Sequence, residues 1–115
     1  MPDAKARKVA VRKDTSLVEN PPGIFRATLA YNDQLMVCHY TMKRNAHVPL
    51  HGHPAAQNGY VIRGKLRMTR ESGDSFIAEA GTGYCFSPDE RHGADVLEDS
   101  EVIECFAPMR PDYAV

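Results

Sequence analysis

The sequence predicts an all-β domain closed into a barrel or jelly roll, and three observations lead there. Short apolar stretches separated by Gly, Pro, Asn and Asp clusters recur along the whole chain. No window of ten or more residues carries the i, i+3, i+4, i+7 stripe of an amphipathic helix. The segment from Tyr60 to Thr69 alternates, with Tyr60, Ile62, Leu66 and Met68 on one parity and Arg63, Lys65 and Arg67 on the other. Alternation of this kind marks a strand with one buried and one wet face. Many short strands in so small a chain must lose their exposed edges, and closure or face-to-face packing removes them.

Taken in order, residues 1–22 read as a charged arm in which Val9 and Val11 alternate with Ala10 and Arg12, the pattern of an edge strand. Asn20-Pro21-Pro22-Gly23 breaks the chain, and residues 23–115 read as one barrel. Strands are expected at Ile24 to Tyr31 and Gln34 to Met42, joined by a turn at Asn32-Asp33. Gly64 falls on the apolar parity, where a missing side chain permits a bend or a close backbone approach. Gly73-Asp74 turns the chain into Ser75 to Glu79. Gly81-Thr82-Gly83 introduces Tyr84-Cys85-Phe86, and Glu101 to Ala107 is expected as the last strand. Pro108 and Pro111 forbid a regular ladder beyond it.

At 115 residues, 43% hydrophobic and 25% charged, the chain suffices for one core and one domain. Fourteen Lys and Arg against fifteen Asp and Glu give a net charge of −1. The basic residues are scattered, so a nucleic-acid backbone finds little to grip. The start, MPDAKARKVAVRKD, lacks the apolar core of a signal peptide, and no run reaches the roughly 18 apolar residues of a membrane span. A cytoplasmic protein is the expectation. Cys38, Cys85 and Cys105 are odd in number, form no C-x-x-C pair and lie in apolar stretches, so they read as reduced core residues, with a reactive thiol as the alternative.

The chemistry is carried by a spaced set, H-x-H-x3-Q-x6-G over His51, His53, Gln57 and Gly64, followed by P-x3-H at Pro88 and His92. Three imidazoles and an amide oxygen are all metal-ligand types. If a strand carries them, His51 and His53 share a face and chelate one ion. His39 shares parity with Leu35 and Val37 and reads as a hydrogen-bonded core histidine or a residue beside the metal. His47 reads as a loop residue at the pocket rim. Met36, Met42, Tyr60, Met68 and Phe86 read as core.

Two longer stretches carry a family resemblance. H-G-H-P-A-A-Q-N-G-Y-V-I-R-G resembles the first cupin motif and G-T-G-Y-C-F-S-P-D-E-R-H-G the second. The resemblance implies a double-stranded β-helix holding one divalent ion (Zn, Ni, Fe or Mn) between its sheets, commonly as a homodimer. Most cupins carry Glu where this chain has Gln57, so the ligand set is neutral and the ion keeps its full double charge. G-I-F-R-A-T-L-A-Y-N-D-Q-L-M-V and E-C-F-A-P-M-R-P-D-Y extend the likeness to the KdgF family, small cupins of pectin and alginate breakdown that linearise unsaturated uronates. That resemblance implies catalytic roles for Glu104 and Arg110, with Glu104 standing where the family carries Asp and so one methylene longer. Glu104 shares parity with Val102 and Phe106, which turns it inward. Alternative functions on the same ligands are a three-His iron dioxygenase, a metal-dependent lyase and a non-catalytic binder of a small anion.

Overall fold

The computed structural model describes residues 6–115. Its eight strands are β1 (Val18–Glu19), β2 (Ile24–Tyr31), β3 (Met36–Met42), β4 (His47–His51), β5 (Ala56–Arg70), β6 (Ser75–Glu79), β7 (Gly83–Phe86) and β8 (His92–Ala107). All pairings are antiparallel. Two of the strands, β5 and β8, are long enough to serve two sheets. The first half of β5 pairs with β7 and with the second half of β8, which continues through β3 and β2 to β1. The second half of β5 pairs with β6 and with the first half of β8, which also takes β4. The two halves face each other across a core that includes Met36, Cys38, Val61, Leu66, Phe86, Val96, Val102 and Phe106.

The transition between sheets is made at Gly64 and Ser100. Val61 and Leu66 are both buried although they stand on opposite sequence parities, which an unbroken strand forbids. Register shifts between Val61 and Leu66 supply the change of face. Gly64 adopts φ +97°, and a Cβ there would lie 2.1 Å from Ser100 Oγ and 2.5 Å from the Asp99 carbonyl oxygen. Ser100 Oγ accepts from the Lys65 N–H at 3.0 Å and donates to the Glu98 carbonyl at 2.7 Å, replacing ladder bonds that the bend removes.

This bend corrects the alternation read from the sequence. Leu66 and Met68 are buried, but Tyr60 and Ile62, on the same sequence parity, are 51% and 41% exposed. Val61 takes the inward position instead. The arm also differs: Val9 and Val11 are exposed, Arg7 makes an isolated bridge to Tyr31, a 3-10 turn follows at Arg12–Asp14, and the edge strand is β1. β4 was not anticipated, because Pro49 and two histidines in five residues give no apolar alternation. β8 begins nine residues earlier than expected, since the acidic run Glu98-Asp99 masks its continuity across the bend. After β8 a 3-10 turn at Pro111–Tyr113 ends the chain without a ladder, as the prolines require.

Cys38 is buried as expected, whereas Cys85 and Cys105 are exposed, because both lie on the outer face of their strands. His39 also lies on the outer face, opposite in parity to the buried Cys38 and Tyr40. It is covered by the arm: Arg12 Nε donates to His39 Nδ1 at 3.1 Å, and His39 Nε2 meets Glu101 at 2.6 Å. His47 opens β4, exposed and paired with Asp95 at 2.8 Å. Among the described residues no helix is long and apolar enough to cross a membrane.

The Gly64 bend makes a paired prediction. Gly64→Ala combines a left-handed backbone with a backbone clash and should cost roughly 2–5 kcal/mol. Gly73→Ala, at φ +94° with nothing within 4 Å of the added carbon, should cost only about 1–2 kcal/mol. Urea denaturation of the two variants measures the difference, and equal losses would refute the close approach as the cause.

Candidate metal centre

His51 closes β4, His53 follows in the loop after Gly52, Gln57 is the second residue of β5, and His92 is the first of β8. The pair His51 and His53 therefore does not converge through a shared strand face, as the sequence suggested. Tertiary pairing brings them together: His51 sits opposite His92 in the β4–β8 ladder, and the Asp89 N–H donates to the His53 carbonyl at 2.8 Å. The three rings offer nitrogen atoms within 4.8 Å of one another.

Each ring is fixed by its other nitrogen. His51 Nδ1 donates to the Pro49 carbonyl at 2.9 Å, His53 Nδ1 to Ala55 at 2.8 Å and His92 Nδ1 to Glu90 at 2.9 Å. A neutral imidazole has one N–H, so these contacts leave the Nε2 lone pairs pointing inward. Burial holds His53 below the usual imidazole pKa, and burial with the neighbouring histidines takes His92 down to about 4. Phe86 stacks on His92 with its centroid 4.2 Å away and an interplanar angle of 5°, which further restrains that ring.

Gln57 is buried, and its amide orientation follows from its neighbours. Its Nε2 donates to Glu104 Oε2 at 2.7 Å, which aims Oε1 at His53 Nε2 and His92 Nε2, 2.9 and 3.2 Å away. Lone pairs on two neutral rings and an amide oxygen thus face one another with no proton to share, an arrangement that a cation satisfies. Metal bonds to imidazole and to oxygen of about 2.0–2.2 Å set donors at right angles about 3 Å apart. The observed separations meet that spacing, so the cluster fits a divalent ion.

Glu104 lies beneath this cluster, on the inward face of β8. Burial raises its carboxyl pKa, while donors from Tyr84 and Gln57 and the charge of Arg110 oppose the rise. Tyr84 donates to Glu104 Oε2 at 2.5 Å. Burial and the carboxylate push the Tyr84 phenol well above its ordinary range, so it remains a donor. Tyr84 was not singled out from the sequence. Its signal is Gly59, opposite it in the β5–β7 ladder, where a Cβ would come 2.4 Å from the Tyr84 ring.

Glu104, Arg110, His51, Gln57 and His92 line one cavity of about 390 Å³, with Tyr40, Tyr84 and Tyr113 also on its wall. Arg110 Nη2 meets Asp112 at 3.0 Å, and its guanidinium carbon is 3.9 Å from the Tyr113 ring centroid and 5.3 Å from that of Phe106. The opposite wall is apolar, formed by Ile24, Met42, Val48, Leu66, Met68 and Ala94. Five of the six residues expected at the site line this cavity, while His53 lines a neighbouring pocket that shares Arg110 with it.

A closed double-sheet barrel with three histidines converging inside it defines a cupin, and the family model for the cupin domain matches residues 38–106. The pectin degradation protein KdgF of Dickeya dadantii (strain 3937) is 32% identical over 110 residues, covering 93% of this chain and 98% of that protein. The chain belongs to the KdgF family of cupins. The solved structure of KdgF from Halomonas sp. superposes with a TM-score of 0.83 at 30% identity, covering 92% of this chain and 96% of that one. The RmlC-like cupin of Shewanella frigidimarina NCIMB 400 shares the fold, with a TM-score of 0.88 at 24% identity and coverage of 95% and 98%. Bacillus subtilis oxalate decarboxylase does so at TM-score 0.74 and 22% identity, over 95% of this chain and 32% of that larger one.

The donor geometry predicts one divalent ion per chain by elemental analysis. His51→Ala, His53→Ala or His92→Ala should abolish tight binding in a calorimetric titration with Zn²⁺ or Ni²⁺. Gln57→Ala should bind more weakly than wild type while retaining measurable affinity, since neutral oxygen is the weakest of the four ligands. Tight binding by all three histidine variants would refute the site.

Proposed function

We propose that the protein opens the ring of small 4,5-unsaturated uronates, converting the cyclic hemiacetal into an open-chain keto-aldehyde. The observation that carries this reading is a buried carboxylate, Glu104, one amide away from the metal cluster and sharing its cavity with an arginine. Family membership supports the same direction, since the Dickeya relative is a pectin degradation protein.

The reaction is an isomerisation, and its atoms balance without an oxidant. The anomeric hydroxyl loses a proton, the bond from that carbon to the ring oxygen breaks, and an aldehyde and an enolate result. The enolate carbon then gains a proton to give the ketone. Glu104 is the group suited to take the first proton and return it at the second position. Its Oε2 accepts from both Tyr84 and Gln57, which leaves Oε1 without a protein partner among the described residues and available to the substrate. Arg110 offers a planar fork for the sugar carboxylate. A divalent ion held by His51, His53, Gln57 and His92 supplies Lewis acidity, and the neutral ligand set leaves its charge undiminished toward an anion.

Metal-loaded protein should accelerate the ultraviolet absorbance decay of an unsaturated uronate above the spontaneous rate. Glu104→Gln should lower kcat by roughly 10²–10⁴-fold, and chelation should abolish activity until metal is restored. A decay unchanged from the spontaneous rate would sink the proposal, and oxygen uptake by the ferrous protein would replace it with dioxygenase chemistry.

A further inference from the structure

Arg110 opens an R-P-D-Y segment, Arg110 to Tyr113, that lies against the barrel. Around it the structure builds a second basic group into the barrel. Arg26, on β2, is 7% exposed and has no carboxylate partner among the described residues. Its guanidinium carbon lies 3.8 Å from the Tyr113 ring centroid, and that of Arg110 lies 3.9 Å from the same centroid. Two cations therefore share one aromatic ring. The tail is pinned beside them: Arg26 Nε donates to Thr28 Oγ1 at 3.2 Å, and Thr28 Oγ1 donates to the Tyr113 carbonyl at 2.8 Å. The edge of Phe106 closes the other side of Tyr113, with centroids 5.6 Å apart.

A buried arginine without a counter-ion is costly, and a second cation next to it raises the cost. The ring recovers part of this through cation–π attraction, and an anion entering the cavity recovers more. Asp112, the carboxylate that does pair with Arg110, is 61% exposed on its side chain, and such contacts orient weakly.

We propose that Arg26 and Tyr113 are positioning residues that hold the Arg110 fork toward the cavity and so set its affinity for a carboxylate-bearing sugar. Tyr113 supplies the face on which Arg110 rests. Arg26 fixes that face from the strand beneath and adds positive potential that favours an anionic occupant. The inference rests on the reading of Arg110 as the carboxylate clamp, and it makes the aromatic face, rather than the Asp112 ion pair, the element that aims it.

Binding of glucuronate, an unreactive saturated uronate, to the metal-loaded protein is the test, read by calorimetry together with KM and kcat on the unsaturated substrate. Tyr113→Leu and Arg26→Met should each weaken glucuronate binding and raise KM by roughly five- to thirty-fold. In both variants kcat should stay within about two-fold of wild type, because Glu104 and its donors are untouched. Tyr113→Phe keeps the ring and should retain wild-type affinity. Asp112→Asn should have a smaller effect than Tyr113→Leu. Metal content and melting temperature are measured on each variant, and Tyr113→Phe, which deletes one oxygen, guards against loss through misfolding. Wild-type affinity in Tyr113→Leu, an equal loss in Tyr113→Phe, or a fall confined to kcat would overturn the assignment. Absence of glucuronate binding and turnover in the wild type would instead overturn the uronate reading, and this inference with it.

Discussion

The carboxamide of Gln57 is the interaction on which the site depends, because it bridges the three-histidine cluster and the buried carboxylate of Glu104. Its oxygen faces His53 and His92 while its nitrogen donates to Glu104. A carboxylate at this position would serve a cation equally well on one side. On the other it would set two negative oxygens at hydrogen-bond distance in a buried place, where like charges force a shared proton. The neutral amide avoids that conflict. Replacing the commoner Glu with Gln is therefore coupled to Glu104: the ligand set loses a charge, and the neighbouring carboxylate gains a donor.

The arrangement is held by a fold that uses two long strands as members of both sheets. Residues of β5 and β8 cross the barrel once, at Gly64 and Ser100, where absence of a side chain lets the backbones meet and a serine hydroxyl takes over the lost ladder bonds. The consequence reaches the chemistry. His92 and Glu104 belong to the same strand, one in each half, and Gln57 lies in the half of β5 that pairs with Phe106. The bend turns what would be a flat ribbon into a cavity with ligands from both sheets on its wall.

Charge around that cavity is balanced between its fixed groups: Arg110 on the wall and Arg26 behind Tyr113 stand against the buried Glu104 and the exposed Asp112. A divalent ion held by neutral ligands would tip that balance to positive. Such a potential favours small anions over neutral molecules, whichever reaction follows. The apolar residues on the same cavity wall, Ile24, Met42, Val48, Leu66, Met68 and Ala94, offer no side-chain hydrogen bonds, so polar contacts with an occupant concentrate on the side of the histidines, Glu104 and Arg110.

Much of this protein was legible in its residues, and what was not has an identifiable cause. Period-two alternation and turn residues suffice for an all-β reading, the spacing of His51, His53, Gln57 and His92 marks them as one candidate set, and Glu104 on the parity of Val102 and Phe106 points inward as they do. Local pattern fails where geometry is non-local. Tyr60 and Ile62 share sequence parity with buried Leu66, yet the bend at Gly64 turns them to solvent. His51 and His53 meet His92 through a ladder and a loop hydrogen bond, since they share no strand face. Cys85 and Cys105 look like core residues and lie outside, because apolar neighbours reveal that a strand exists but not which face it buries. Tyr84, Arg26 and Tyr113 carried no short-range signature at all. Tyr84 meets Glu104 across 20 positions and Arg26 meets Tyr113 across 87, and only closure of the barrel brings groups so distant in the chain within reach.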